Sequence, residues 1–339
     1  MSTVVAVVLF AAVIAYSVFG GADFGAGFWD LFAGGPEHGE RPRHVIDRSI
    51  GPVWEANHVW LIVCFVVLWT AVPEAYGMIW STVSIPLWIA AFGIVLRGAG
   101  FAFRHGVTDV RHRRRYGAAF ALSSVIVPFC LGAFAGAIAS ERVTGDGTSD
   151  PWGVWLNPTS IMGGVLAVAV VAFLAATFLV WDAARVADDE MVEYFRRRAL
   201  GSAIAAGAVA LVGIGVLHAD SPWLFDRLTG RALPVVALSA ACGIACIVLL
   251  VRERHGGARL LAVGAVASVV AAWGVAQYDW IVPNVLTIEE AAAPSGTLAA
   301  LGVAVVLLAL FVGPAFVLLY ALDQGDQLPA EGDEDVELA

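Results

Sequence analysis

The sequence predicts an all-α integral membrane protein with about nine transmembrane helices. Of its 339 residues, 60% are hydrophobic and 14% are charged, and the mean hydropathy is +0.81. This composition lies far from that of a soluble domain. The apolar residues gather in runs that reach the roughly 20 residues a spanning helix needs, and these runs are too long for barrel strands.

The spans follow one another with no soluble domain between them. We predict them at residues 4–32, 52–72, 78–103, 117–139, 159–182, 200–218, 232–251, 258–277 and 297–322. The first run lacks a basic flank, so it is interpreted as a span and not as a signal peptide. Residues 1–322 are therefore predicted to form one polytopic membrane domain, and residues 323–339 an acidic cytoplasmic tail.

Arginine predicts the orientation of the bundle, because the chain contains no lysine. Of the 19 arginines, 15 fall in the loops after spans one, three, five and seven. Basic residues accumulate on the cytoplasmic side, so the N-terminus is predicted outside and the C-terminus in the cytoplasm. The arginines of residues 111–115 are then typical of an anchor near anionic lipid, and they do not indicate nucleic-acid binding.

Charged residues in three consecutive spans share the predicted cytoplasmic third of the membrane. They are Asp23, Glu55 and Arg97, and their depths follow from a helix rise of about 1.5 Å per residue. His58 lies one turn from Glu55 on nearly the same helix face. Ionisable groups inside spans are costly unless they face protein or water, so they are candidates for function. We predict that these four residues form a proton pathway, with Glu55 as its favoured member.

Each of these residues also has a structural interpretation. Asp23 and Arg97 could neutralise one another as a pair, and Glu55 could reach the interface or cap a helix. The glycine-rich residues 20–27 favour a seam for close helix packing. In a secondary transporter, the alternative function, the same segment would be an unwound substrate site.

Haem is the cofactor to consider in an apolar helical bundle, since its ligands are inward-facing His, Met or Cys. Only His58 and His218 lie within predicted spans, so we predict no cofactor or metal bound by this chain alone. The four cysteines fall in apolar runs and indicate buried thiols. Asn157 is predicted to cap the fifth span with Pro158 in its first turn, and residues 278–298 to form an external loop on the surface.

Several stretches, in order along almost the whole chain, resemble subunit II of cytochrome bd-type quinol oxidases. The most specific covers residues 52–62 and reads Pro-Val-Trp-Glu-Ala-Asn-His-Val-Trp-Leu-Ile. The others are residues 23–27, 156–158, 283–288, 291–294, 313–314 and 318–320.

The resemblance implies two four-helix bundles plus one helix, paired as a heterodimer with a homologous haem-bearing subunit I in a bacterial inner membrane. It implies that two haems b, one haem d and the quinol-oxidising loop belong to subunit I. Small single-span accessory subunits, lipid and quinone are further implied partners. In the family, the acidic residue at the position of Glu55 is associated with proton uptake. Some members carry an Asp where this chain has Gly20, which weakens the carry-over of a full carboxylate set.

Overall fold

The computed structural model describes residues 2–51, 53–107, 109–145 and 149–325. Pro52 and all but the first residues of the predicted acidic tail lie outside these ranges. The described helices are α1 (Ser2–Leu31), α2 (Pro36–Ile50), α3 (Trp54–Asn57), α4 (Val59–Ala71), α5 (Pro73–Thr82), α6 (Ser84–Gly106), α7 (Val110–Ala139), α8 (Pro158–Arg185), α9 (Asp189–Asp220), α10 (Pro222–Thr229), α11 (Leu233–Val251), α12 (His255–Gln277) and α13 (Ser295–Gln324). Strands β1 (Trp280–Val282) and β2 (Leu286–Thr287) precede α13.

Within these ranges, nine helical segments are long and apolar enough to cross a membrane, as predicted. The second of them combines α3 with α4, and α2, α5 and α10 are additional short helices. Helices α1, α4, α6 and α7 form one four-helix bundle, and α8, α9, α11 and α12 form the other. Helix α1 also packs against α8 and α12 and so joins the bundles, while α13 lies outside them against α4.

Close packing of α1 against both bundles depends on its glycines. Helix α1 is continuous through residues 20–27. A Cβ at Gly25 would overlap the backbone carbonyl oxygen of Val171 in α8, and one at Gly27 would overlap the side chain of Ser124 in α7. Only glycine permits such an approach, so the interpretation of this segment as a helix-packing seam is confirmed.

The second and third spans differ from the predicted ranges because the chain breaks between them. Helix α5 begins with Pro73 and ends at Thr82, and the next residue, Val83, has a φ of -114° and a ψ of 29°, which are not helical. Proline is tolerated at a helix start, where its missing N–H has no intrahelical partner. The third membrane helix therefore begins at Ser84, although the predicted span began at residue 78, inside α5.

Two further predictions concern the start of α8 and the loop of residues 278–298. The cap of α8 is confirmed, because the backbone N–H of Ser160 donates to Asn157 Oδ1 at 2.9 Å. Within residues 278–298, residues 280–287 form a small β-hairpin that was not predicted, and Val282 and Leu286 are buried in a core cluster. The apolar side of the hairpin packs against the bundle end, and the external position of this loop stays a prediction.

The orientation in the membrane stays a prediction. One end of the bundle carries most of the arginines. It includes Asp23, the start of α3 and the C-terminal ends of α6, α8 and α13. We call it the cytoplasmic end, following the arginine distribution.

Candidate functional site

Asp23 is a buried carboxylate in the middle part of α1, with 2% of the residue exposed. Its Oδ2 accepts a hydrogen bond of 2.8 Å from Nδ2 of Asn57. The Tyr320 hydroxyl of α13 donates to Asn57 Oδ1, also at 2.8 Å. A buried carboxylate is costly without such partners, so the amide of Asn57 fixes Asp23 and links it to α13.

Arg97 on α6 is buried as completely, with 1% exposed. Its Nη2 donates to the backbone carbonyl of Asp23 at 2.9 Å, and its Nε donates to Ser124 Oγ at 3.2 Å. The guanidinium lies 4.9 Å from the ring centroids of both Phe24 and Phe120, so aromatic faces cover it on two sides. The predicted proximity of Arg97 and Asp23 is confirmed. The hydrogen bond goes to the backbone and leaves the carboxylate to Asn57.

The short helix α3 points its side chains in opposite directions. Asn57 is buried, whereas Glu55 is exposed on the surface of the chain. The backbone N–H of His58 bonds to the Glu55 carbonyl three residues back, at 3.2 Å, which tightens the turn at this point. Glu55 therefore does not join Asp23 and Arg97 in the interior of this chain, because residue depth does not fix the direction of a side chain. Its place in the proton pathway stays a prediction.

His58 takes up the helix hydrogen bond that the tight turn frees. Its Nδ1 donates to the Trp54 carbonyl at 2.9 Å. The ring centroids of Tyr16, Phe24 and Trp54 lie 6.0, 5.9 and 6.1 Å from that of the imidazole. Three aromatic side chains thus pack around the imidazole, and the absence of a haem bound by this chain stays a prediction.

The second histidine within a predicted span and the cysteines were the other candidate ligands. His218 on α9 packs edge-on against Phe225, with centroids 4.9 Å apart. Across the described ranges, no group of three or more His, Cys, Asp or Glu side chains is arranged to hold a metal ion. All four cysteines are free thiols.

A cavity of about 30 Å³ lies against Asp23, where α1 meets α8 and α12. This volume holds about two water molecules, since roughly 10–15 Å³ suffices for one. Asn57 and Tyr320 border it on one side, and Asp182 of α8 borders it as a second carboxylate. Asp182 was not predicted, because a charge in the last turn of a span is typical of an ordinary interface residue. The available signal was its helical spacing, since Asp182 lies three, four and seven residues after Leu179, Phe178 and Ala175, which line the cavity on the same face of α8.

A second charged network lies two turns closer to the cytoplasmic end. Arg104 Nη1 and Arg43 Nε each donate to the Asp30 carboxylate at 2.6 Å, and Arg104 also pairs with Asp47. The Arg104 guanidinium lies 4.4 Å from the Phe120 ring that Arg97 also contacts. These ion pairs fasten α1, α2 and α6 together at the cytoplasmic end, outside the cavity lining.

Comparison with known proteins agrees with this architecture. A family described as "Cytochrome bd terminal oxidase subunit II" matches residues 1–322. The chain belongs to this family. It is therefore a multi-pass subunit of an oxidoreductase complex.

Individual relatives carry the same name. The "Cytochrome bd ubiquinol oxidase subunit 2" of Bacillus subtilis is 27% identical over 242 residues, which cover 70% of this chain and 68% of that protein. The Escherichia coli K12 "Cytochrome bd-I ubiquinol oxidase subunit 2" is 26% identical over 172 residues, covering 49% of this chain and 45% of that protein. Their designation as subunit 2 implies a partner subunit.

A solved structure supports the fold of this subunit II. The "bd oxidase from Geobacillus thermodenitrificans" matches with a TM-score of 0.76 and 23% identity, over 95% of this chain and 98% of that chain. Together with the unbroken α1, the family match replaces the transporter alternative, which required an unwound segment at residues 20–27.

Proposed function

We propose that this chain is the haem-free subunit II of a bd-type quinol:oxygen oxidoreductase. In this role it supports a haem-bearing subunit I and delivers cytoplasmic protons for the reduction of oxygen to water. The observation that carries the proton role is the Asp23 carboxylate, which is buried, borders a cavity of water size and bonds to a neutral amide. A desolvated carboxylate beside water can exchange protons, whereas one locked in an ion pair exchanges them poorly.

Glu55 supports the same proposal from the other side of α3. Its side chain is exposed on this chain at the membrane boundary, where contact with lipid would be costly. The surface of a partner subunit, or water held between the subunits, would satisfy the carboxylate. We therefore place Glu55 at the contact with subunit I and Asp23 inside this subunit. Arg97 holds the backbone of Asp23, and His58 packs against Phe24, whose ring also lies beside Arg97.

The cofactors of the proposed complex lie in subunit I, as two haems b and one haem d, with quinol as the electron donor. Haem supplies the oxygen chemistry when bound there. The complex would lie in a bacterial inner membrane, in contact with lipid and quinone, and small single-span accessory subunits could join it.

Haem content tests the haem-free assignment. We expect this chain, expressed without its partner, to show no haem Soret absorbance. In the purified complex, His58→Ala and His218→Ala should leave the haem content per complex unchanged, because both rings pack against protein side chains. Loss of one haem from either variant, with the subunits still associated, would contradict the assignment.

Substitutions of Glu55 test its place in the proton pathway. Glu55→Gln keeps the shape but cannot exchange protons, whereas Glu55→Asp keeps the carboxyl group. We expect the Gln variant to lose quinol-driven oxygen consumption by about tenfold and the Asp variant to retain most of it. Haem reduction by quinol should change little in both. If Glu55 only stabilises the start of α3, the Gln variant should have nearly normal activity, or it should lose assembly and activity together. The loss of local stability would then be up to about 1 kcal/mol.

A further inference from the structure

A second carboxylate borders the cavity that contains Asp23. Asp182 lies in the last turn of α8, three residues before the end of the helix at Arg185. The Asp182 side chain is 16% exposed and the residue is only partly buried, whereas Asp23 is fully buried. Asp323 of α13 is a third carboxylate on the cavity. Of the carboxylates of α1 and α8, Asp182 is therefore the one that reaches towards solvent at the cytoplasmic end.

The hydrogen bonds of Asp182 are incomplete within the protein. Its Oδ2 accepts from the Ser49 hydroxyl of α2. Its Oδ1 is buried and has no hydrogen-bond partner in the part of the chain that the structure describes. The Nη1 of Arg185 is 3.8 Å from this oxygen, beyond hydrogen-bond distance. An ionised carboxylate offers about four acceptor positions, so water in the cavity is the natural partner for Oδ1.

The end of α13 closes the cavity beside Asp182. The Gln324 Oε1 accepts from Trp181 Nε1 at 3.2 Å and from Arg259 Nη1 at 3.3 Å. Arg185 also donates to the backbone carbonyl of Gln324. These bonds tie the end of α13 to α8 and α12 next to Asp182.

Polar groups continue from this closure to Asp23. Tyr320 and Gln324 are four residues apart and share one face of α13, and both border the cavity. The Tyr320 hydroxyl bonds to Asn57, which in turn bonds to the Asp23 carboxylate. The cavity therefore is bordered by Asp182 and Asp323 from the cytoplasmic ends of α8 and α13 and by Asp23 from the interior of α1, and it has space for water.

We propose that Asp182 takes up protons from the cytoplasm and passes them through the cavity water to Asp23. Asp182 accepts a proton from cytoplasmic water and transfers it to a cavity water, which then protonates the ionised Asp23. Each transfer returns the donor to its starting protonation state. This inference rests on the proposed proton role of the subunit and adds its point of uptake. The competing explanation is that Asp182 only holds Ser49 and Arg185 in place.

The test uses the complete complex with its partner subunit. Asp182→Asn should lower quinol-driven oxygen consumption by about tenfold, because loss of a positioned proton carrier slows transfer by roughly 10²-fold or more and water replaces part of it. The solvent deuterium isotope effect on turnover should rise, since proton delivery becomes rate-limiting. Asp182→Glu should restore most of the activity. A purely structural role predicts a lower rate or yield without a change in the isotope effect.

Asp109→Asn is the matched control. Asp109 is an exposed carboxylate at the same end that caps α7, and the backbone N–H of Arg111, with help from His112, holds the pKa of its carboxyl below the usual range. Asparagine caps a helix as well as aspartate does. This variant removes one cytoplasmic carboxylate charge outside the cavity, and its turnover and isotope effect should equal those of the unmodified complex.

A second variant changes the cavity without removing a carboxylate. Ala22 of α1 borders the cavity, so Ala22→Val should reduce the space for water, slow turnover and raise the isotope effect. Ala11→Val, at an exposed position of the same helix, is its control. If the Asp182→Asn complex does not assemble, the Ala22→Val complex provides the test. Unchanged turnover of the Ala22→Val complex would overturn the inference.

The outcomes separate the inference from the proposed function. Full turnover of assembled Asp182→Asn, with Asp23→Asn slowed, would overturn the role of Asp182 and leave the proton role of the subunit intact. Slow turnover of Asp182→Asn without a larger isotope effect or rescue by glutamate would also overturn it. Full turnover in Asp182→Asn, Asp23→Asn and Glu55→Gln alike would overturn both proposals.

Discussion

Asp23→Asn should lower quinol-driven oxygen consumption per assembled complex by about a hundredfold, the lower end of the range for positioned proton carriers. Asparagine retains the shape of the side chain, and its oxygen can still accept the hydrogen bond from Asn57 Nδ2. The amide cannot exchange protons near neutral pH. Assembly should therefore persist while proton delivery becomes rate-limiting, so the solvent deuterium isotope effect should rise with the loss of turnover.

Asp30→Asn is the matched control on the same helix. Asp30 is also a buried carboxylate, with 5% of the residue exposed, but it is paired with Arg43 and Arg104 and does not border the cavity. Its substitution leaves two arginines short of their partner, so it should lower the amount of assembled complex. Turnover per complex should be unchanged. Equal effects of the two substitutions on turnover would contradict a specific role for Asp23.

Arg97→Leu should largely prevent accumulation of the assembled complex. The substitution removes the hydrogen bonds to the Asp23 carbonyl and to Ser124 Oγ, and it leaves the buried Asp23 carboxylate without a nearby cation. Loss of one partner from a buried charged group costs roughly 3–5 kcal/mol, a large fraction of the stability of most domains. The measurement is the yield of haem-containing complex and its midpoint of thermal unfolding.

Two comparison variants accompany this prediction, Arg97→Lys at the same site and Arg41→Leu at an exposed site. Lysine keeps the charge but cannot reproduce the planar contacts with Phe24 and Phe120, so an intermediate loss is expected. Arg41 is 56% exposed and pairs with Asp188 and Glu190 on the surface, where an ion pair contributes only about 0–1 kcal/mol. A stable Arg97→Leu complex with an unchanged midpoint would show that the buried guanidinium is dispensable.

Depth along the helices predicted part of the candidate site. Asp23 in the first span and Arg97 in the third were predicted to share the cytoplasmic third of the membrane, and they do meet. Asp30 and Arg104 lie about two turns after Asp23 and Arg97 in the same helices, and they also form an ion pair. The repeat of both charges after seven residues was visible in the sequence, since such spacing keeps side chains on one helix face.

The directions of the side chains and the positions of the helix breaks could not be predicted from the sequence. Glu55 and Asn57 are two residues apart, yet only Asn57 faces the interior, because the tight turn at His58 sets the rotation of α3. Asp182 lies in the last turn of a span, where a charge usually means contact with the interface. Its role in lining a cavity depends on the approach of α2, α12 and α13, which no local pattern encodes.

The most direct measurement of the account is the rate of proton uptake during a single reaction of the reduced complex with oxygen. The Asp23→Asn complex would be compared with the unmodified one, using a pH-indicator dye on the cytoplasmic side. We predict normal binding of oxygen and normal early haem oxidation, followed by proton uptake about a hundredfold slower. Proton uptake at the unmodified rate in a well-assembled Asp23→Asn complex would contradict the claim that this subunit carries protons through Asp23.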